Sequence, residues 1–454
     1  MTLEELMRGA CASGPPADGT WEITAAKTEG VTPGFEIQDS AGVKFFLKFD
    51  PKSNPELATA ADVIGSKLFY ALGYNTPENY IVVFEGSRLK VAQNASVRLE
   101  TGKRRAMEQR DLEDILRRIP RDKEGRFRAL ASRVIEGEIL GPFRFYNTRR
   151  DDPNDVVPHQ HRRDLRGMRV FSAWLNHTDS KALNTLDTLV EEGGVRHIKH
   201  YVIDFGASLG SDSLWPKSPR GGHVYLFEWD ASAAQFLSLG FYTPRWMRVD
   251  YPGIKAVGNF ESEVFNPDEW KPNYPNPAFD ECLPDDAFWA AKQVKRFTDE
   301  EIRALVRTGQ YSDPEAADYV AKTLMARRDR IGRTYFEKVL PLDQFRVRGG
   351  ELQFEDLAVS YGFVQPRAYQ VRWLSFDNRN ERLTAIGNAA GPAFAAADGP
   401  VPGRLPRSRQ ILSFPLPSAP ADYLAAEITG SELGKKITVY VRGRNRVVGL
   451  DRTW

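Results

Sequence analysis

Alternation of apolar and polar residues marks the first structured stretch of the chain. Trp21 to Ala25, Phe35 to Gln38 and Val43 to Phe49 read as the strands of a small sheet. The separators "KTEGVTPG" and "DSAG" carry turn residues, so three strands in tandem predict a meander. The period then lengthens. In "NPELATAADVIGSKLFYALG", Leu57, Ala61, Ile64, Leu68 and Ala71 share one helical face. Asn54 suits the N-cap, Pro55 the first helical position and Gly73 the C-terminal close. A strand is expected over Tyr80 to Glu85 and another around Arg133 to Ile139, within a stretch from Asp111 to Leu140 that also has helical character. Arg162 to Leu175 reads as a helix with Leu165, Met168, Phe171 and Leu175 on one side, and "HIKHYVIDFGASLG" as a short buried strand ended by Gly206. Thr298 with Glu301 predicts a capping box, and Asp313 with Pro314 starts a long helix toward Phe336.

Beyond about Leu342 the pattern changes character. "YQVRWLSFDN", "RQILSFPLP" and "KKITVYVRGR" are strand-like, and "AAGPAFAAADGPVPGRLP" between them reads as a loop. Residues 345–454 are therefore expected to form a separate, mostly β module. A length of 454 residues favours more than one domain. Lys plus Arg (62) and Asp plus Glu (61) nearly cancel to a net charge of +1, which does not favour nucleic acid as a partner. No apolar run reaches the length of a membrane span, and the N-terminus lacks the basic and then apolar regions of a signal peptide. The expectation is a soluble chain, cytoplasmic by default and exported only if its start has been processed or truncated. Cys11 and Cys282 are too few for a disulfide framework.

The stretch "WLNHTDSKALNT" concentrates the chemistry. It holds His177, Asp179, Lys181 and Asn184, and Asp204-Phe205-Gly206 follows twenty residues after Asn184. Phosphoryl transfer from Mg-ATP needs these residue types in this order. Asp179 can accept the proton of an attacking hydroxyl, Lys181 can reach the transferred group, and Asn184 and Asp204 can hold metal. His177 reads as the loop's internal strut. Upstream, Lys48 interrupts the apolar run "VKFFLKFD", where a nucleotide phosphate is a natural partner. The acid that would steady it is Asp62, which shares a stripe with Ala58, Gly65 and Phe69, in preference to Glu56 in the first helical turn. Backbone N–H groups of Gly30, Val31, Thr32 and Gly34 could cradle phosphates between the first two strands.

Taken together, Lys48, the helix acid, the His177 to Asn184 loop and Asp204-Phe205-Gly206 resemble the protein-kinase superfamily in its broad sense. Asp62 to Val82, including "ALGYNTPENYIV", more closely resembles HipA-like bacterial kinases, and the chain is similar to uncharacterised bacterial proteins of that kind. The resemblance spans about residues 20–340. It implies an α+β, two-lobed protein-kinase-like fold, with a β-rich N-lobe and hinge region (21–140) and a mainly helical C-lobe (141–344); the N-terminal extension (1–20) and the mostly-β, sandwich-like module (345–454) lie outside the resemblance. It also implies ATP in the cleft with Mg2+, Mn2+ serving as a substitute, Lys48 on the phosphates, Asp179 as base, and Asn184 and Asp204 as metal ligands. The glycine loop lacks a three-glycine pattern and no Ala-Pro-Glu follows Asp204-Phe205-Gly206, which speaks against a conventional protein substrate.

The implied activity is an atypical kinase transferring the γ-phosphoryl group to a hydroxyl of a protein, lipid or small molecule. The alternatives are a nucleotide-binding scaffold that has lost the reaction and an adenylyl transferase on the same fold. Residues 145–167 gather Arg149, Arg150, Arg162 and Arg163, which either grip an anionic acceptor or form a solvated loop of mixed ion pairs. His159 and His161 lack a third ligand at matching spacing, so zinc is not expected there.

Overall fold

The computed structural model describes residues 1–27, 34–98, 103–226, 243–386, 394–397, 410–430 and 434–454. The chain divides into two compact units. One comprises residues 1–281 and 293–329, the other 282–292 and 330–454.

In the first unit, strands β1 (Trp21–Lys27), β2 (Gly34–Gln38), β3 (Lys44–Lys48), β4 (Asn79–Phe84), β5 (Leu89–Arg98), β6 (Arg104–Ala106) and β7 (Phe127–Arg133) form one sheet in the order β4-β7-β3-β2-β1-β5-β6. The expected meander is its centre, with β1 antiparallel to β2 and β2 to β3. Side chains alternate across the pleat. Phe35, Ile37, Phe45 and Leu47 are buried in a core with Trp21, Ile23 and Phe127. Gly34, Glu36, Phe46 and Lys48 occupy the intervening positions, in the register Gly34 to Lys48 and Glu36 to Phe46. A one-residue slip would exchange the two faces, so the buried aromatics fix where Lys48 points.

Helix α1 (Leu3–Arg8) carries a capping box of Thr2 and Glu5. Helix α2 (Leu57–Ala71) is buried over most of its circumference, and Leu57, Ala61, Ile64 and Leu68 of the predicted stripe are all in the core. Its C-terminus closes on Gly73 at φ 99°, with the Tyr74 N–H bonded to the Phe69 carbonyl, the αL ending that glycine favours. Its N-terminus departs from expectation. Glu56, not Asn54, is the capping residue, at φ 69°, and makes no side-chain cap. The Asn54 amide donates instead to the Lys255 carbonyl, and Pro55 precedes the helix. The free N–H groups of Ala58 and Thr59 are taken by the buried Asp50 carboxylate at 2.8 and 2.9 Å. Sequence distance hid this cap, because the caps legible in a sequence sit next to the helix.

Helix α3 (Gln109–Arg117) precedes β7. The single strand expected over Arg133 to Ile139 is two elements: β7 ends at Arg133, and β8 (Glu138–Gly141) belongs to another sheet. Gly137, at φ 104° and close against the Leu189 carbonyl, turns the chain between them. Helix α4 (Arg163–Leu175) buries Leu165, Met168, Phe171 and Leu175 and stops at Asn176 in the left-handed region. Strands β9 (Thr185–Glu192) and β10 (Val195–Val202) form a hairpin around Gly193 and Gly194, both at positive φ, and pair on to β8 in the order β10-β9-β8. The strand before Asp204 was expected to be buried. It is β10, an edge strand with mostly exposed or half-buried residues, and it ends at Val202.

The capping box of Thr298 and Glu301 starts the helix Asp299–Arg307, and Pro314–Phe336 is the long helix expected after Asp313. Trp174 on α4 donates to the Leu324 carbonyl of that helix, and the buried Arg327 guanidinium donates to the carbonyls of Ala173, Trp174 and Glu261. Arg128 on β7 spans three elements, donating to the Thr59 hydroxyl and to the carbonyls of Gly309 and Gln310.

In the second unit, strands β11 (Leu342–Arg348), β12 (Glu351–Asp356), β13 (Tyr369–Asp377), β14 (Arg382–Ala385), β15 (Phe394–Ala397), β16 (Gln410–Pro415), β17 (Tyr423–Gly430), β18 (Lys436–Arg442) and β19 (Arg446–Thr453) form two antiparallel sheets, ordered β11-β12-β16-β15 and β14-β13-β17-β18-β19. Both supply one core, which includes Leu352, Phe354 and Phe414 from the first and Val371, Ile428 and Val439 from the second. The Ala/Gly/Pro-rich segment read as a loop contains β15, paired with β16; alanine-rich composition concealed it. Among the described residues, no helix is long and apolar enough to cross a membrane.

The remote cap yields a test. Asp50→Ala leaves two helix N–H groups and the Thr59 hydroxyl without their acceptor, and should lower unfolding free energy by about 2 kcal/mol in urea titration. An unchanged midpoint would show that the carboxylate does not hold the helix end.

Candidate active site

Lys48, at the end of β3, is the centre of the site. Its Nζ lies 3.1 Å from Asp62 Oδ2 on α2 and 3.0 Å from Asp204 Oδ1 beyond β10. Glu56 is elsewhere, accepting from the Ser312 N–H. The two carboxylates differ in setting. Asp62 is 2% exposed and its Oδ1 takes the Asn79 amide at 3.0 Å and the Phe205 N–H at 3.3 Å, whereas the Asp204 side chain is 48% exposed and available to a ligand. Burial disfavours the Lys48 charge, but both carboxylates outweigh it and hold the lysine pKa above its ordinary value. Lys48 in turn holds the Asp204 carboxyl below its ordinary value, while burial pushes that of Asp62 up.

The approach of α2 to the Asp204 turn depends on one glycine. A Cβ on Gly65 would lie 2.7 Å from Phe205 Cβ, and the Phe69 ring packs on Phe205 at 4.9 Å. The stripe Asp62, Gly65, Phe69 thus faces this turn. Asp204 itself adopts φ 62°, a left-handed conformation uncommon outside glycine and tolerated best by Asp and Asn.

The loop after α4 brings its polar residues to the same place. Asn184 donates to Asp179 Oδ2 at 2.9 Å and to its carbonyl at 2.8 Å, and Lys181 Nζ lies 2.9 Å from Asp179 Oδ1. The Ile203 N–H bonds to the Asn184 carbonyl, which ties the loop to the segment carrying Asp204. With its amide nitrogen on Asp179, Asn184 has its Oδ1 left for another partner. Lys48, Asp179, Lys181, Asn184 and Asp204 all line one cleft of about 750 Å³, with Gly34 on its rim. Gly30, Val31 and Thr32 lie outside the described residues.

His177 is not among the lining residues. It is 1% exposed, between the Phe69 and Phe205 rings at 6.2 and 5.4 Å, and burial lowers its pKa to about 4. It is a neutral wedge under the loop. Lys217 is the residue that the sequence reading missed: a lysine 2% exposed, with Nζ 2.8 Å from the Thr178 hydroxyl and 3.2 Å from the Ala207 carbonyl. It links the Asp179 loop to the Asp204 turn, and "LWPKSPRGG" carries no local pattern that marks it.

The arginines of 145–167 do not line this cleft. Arg149 pairs with Asp187 at 2.9 Å and Asp151 at 3.0 Å, and Arg162 pairs with Asp155. His159 is stacked on Phe143 and bonded through its two nitrogens to the Arg144 carbonyl and to Asp155, and His161 pairs with Glu281. Among the described residues, no group of three His, Cys, Asp or Glu side chains is arranged to hold a metal ion.

No protein-family profile matches the chain, and no curated protein matches it. Solved structures that the chain matches weakly include the Helicobacter pylori proinflammatory kinase CtkA, with a TM-score of 0.33 and 10% identity over 67% of this chain and 94% of that one. The Golgi casein kinase with Mn/ADP bound has a TM-score of 0.31 and 10% identity over 73% of this chain and 74% of that one. A second structure of the Golgi casein kinase has a TM-score of 0.32 and 9% identity over 73% of each chain.

The enclosed histidine makes stability depend on pH. The unfolded chain protonates His177 below about 6.5 and the folded chain only near 4, so the unfolded state binds more protons between these values. Stability is complete above that window and falls as pH drops through it, by up to about 3 kcal/mol from this group. His223, also lowered to about 4 by burial, adds to the slope. His177→Asn should flatten the dependence measured by urea unfolding at pH 7 and pH 4.5. A slope identical to that of the parent chain would contradict the assignment.

Proposed function

We propose that the chain is a Mg-ATP-dependent phosphotransferase on a protein-kinase-like fold, acting on a hydroxyl acceptor. One observation carries the reading: a single ammonium bridges a buried and an exposed carboxylate in the cleft that also holds the Asp179–Asn184 pair. An ion pair kept for stability alone would not need its outer carboxylate on a cleft beside a second acid held by an amide.

The donor set fits the group. Magnesium is commonly held by one or two carboxylates together with substrate phosphates, and Asp204 offers one carboxylate beside the Asn184 amide oxygen. Bound Mg-ATP would supply the electrophilic γ-phosphorus and neutralise charge as it is transferred. Lys48 contributes a fixed cation for phosphate oxygens. Asp62, anchored by Asn79 and the Phe205 N–H, would keep that cation in place with Asp204 engaged as a metal ligand. Asp179 accepts the hydroxyl proton, oriented by the Asn184 amide, and Lys181 beside it balances the charge.

Thermal unfolding with Mg-ATP tests the reading. Ligand at a hundred times its dissociation constant should stabilise the native state by about 2.7 kcal/mol, a rise of several degrees. Asp204→Ala should remove the metal-dependent part of that rise. Asp179→Ala should bind nucleotide normally while losing turnover by about a thousandfold. The mass of the product distinguishes phosphoryl from adenylyl transfer, and binding with no turnover on any acceptor would leave a nucleotide-dependent scaffold. If no nucleotide shifts the transition, the proposal fails.

A further inference from the structure

The sheet that carries Lys48 also carries a row of basic residues whose outer members the transfer reaction leaves unused. Strand register runs unbroken from Lys48 on β3 to Gly34 on β2, Lys27 on β1, Arg98 on β5 and Arg104 on β6. Directly paired residues share one face of the pleat. Lys48, Gly34, Arg98 and Arg104 accordingly all line the cleft. The adjacent pair turns the other way: Val97 is buried in the core, and Arg105 is held by Asp111 through two bonds of 2.7 Å. Alternation thus commits Arg98 and Arg104, both exposed, to the cleft side.

Their placement calls for an anion. Like charges directly opposite each other on paired strands are destabilising, and Arg98 faces Arg104 in that way. The carboxylates that line the cleft are already shared with lysines: Glu36 with Lys44, Asp179 with Lys181, Asp204 with Lys48 and Asp212 with Lys217. Distance separates the two arginines from the nucleotide's anchor. With strands about 4.8 Å apart, Arg98 lies about 14 Å and Arg104 about 19 Å from Lys48 along the row, beyond the span of one triphosphate held at that lysine.

A phosphate monoester suits the place. Its second ionisation falls at a pH of about 6, so at neutral pH one group brings nearly two negative charges to two guanidiniums, whose forks take phosphate oxygens in pairs. A peptide carboxylate brings one charge. The cleft, of about 750 Å³, also has the size of a small-molecule site.

We infer that Arg98 and Arg104 form the subsite for a phosphate on the acceptor: the molecule phosphorylated is a small hydroxylated compound that already carries a phosphate ester. This rests on the phosphotransferase reading above. The acceptor hydroxyl oxygen forms a bond to the γ-phosphorus, the bond from that phosphorus to the β,γ-bridging oxygen breaks, the electron pair leaves with ADP, and the hydroxyl proton passes to Asp179. The products are ADP and a bisphosphate. Sugar phosphates and nucleoside monophosphates share this chemistry.

The test uses the full chain saturated with Mg2+ and a non-hydrolysable ATP analogue, and inorganic phosphate as the probe. Phosphate should raise the unfolding temperature further, and the double variant Arg98→Gln, Arg104→Gln should weaken that response at least tenfold while keeping the rise due to the analogue. Sugar phosphates or nucleoside monophosphates should compete with phosphate where glucose and uridine do not, and the panel that competes names the source. With Mg-ATP the competing ester should gain the mass of one phosphoryl group. A further readout needs no ligand: Arg104→Gln should leave the unfolding temperature of the empty chain unchanged or higher, because it removes a like-charge pair.

No response to phosphate, an undiminished response in the double variant, competition by neither panel or by a phosphoserine peptide alone, or a less stable Arg104→Gln overturns the inference and leaves the parent reading standing. So does loss of the analogue's own rise in the double variant, since the arginines would then serve the nucleotide. Absence of any shift with nucleotide in the unaltered chain overturns the parent reading itself.

Discussion

The Lys48 ammonium is the constraint on which the site depends. Burying a carboxylate such as Asp62 is unfavourable by several kcal/mol unless its oxygens are paired and hydrogen-bonded. Lys48, the Asn79 amide and the Phe205 N–H together meet that demand. These partners come from β3, from the start of β4 and from the turn beyond β10, so satisfying one buried acid fixes three distant pieces of chain. Gly65 permits the approach, because a side chain there would push the Phe205 turn away from α2. The exposed Asp204 then inherits its position from a contact made on the buried side.

The parts of this arrangement that follow local rules were legible in the sequence. A charge at the end of an apolar strand singled out Lys48, and the small-residue stripe of α2 pointed to Asp62 over Glu56 as its neighbour. The Asp179 and Asn184 pair was visible because the two residues lie five positions apart on one loop. What was not legible depends on partners far apart in sequence. Asp50 caps a helix that starts seven residues later, and Lys217 bonds to Thr178 across 39 positions. The strand around Arg133 to Ile139 failed for a related reason. Its composition suits a strand, but Gly137 lies against the Leu189 carbonyl, and the chain must turn there.

Charge in this molecule separates into two populations. The arginines of 145–167 could be read as an anion grip or as a loop of mixed ion pairs, and Arg149 and Arg162 are matched by Asp187, Asp151 and Asp155 beside the stacked His159. Density of charge therefore says little about availability. In the cleft, by contrast, the ion-paired side chains of Lys48 and Asp204 stay 35% and 48% exposed.

Arg128 has a mechanical meaning. Its guanidinium joins the sheet to α2 through Thr59 and to the turn at Gly309 and Gln310, which leads into the long helix. Swinging the sheet away from the helices would break several charge-assisted hydrogen bonds at once and leave the Asp50 carboxylate, 3.9 Å away, without its nearby cation. The latch on Thr59 sits one helical turn from Asp62, the buried partner of Lys48, so loosening it would disturb the Lys48 ion pairs as well.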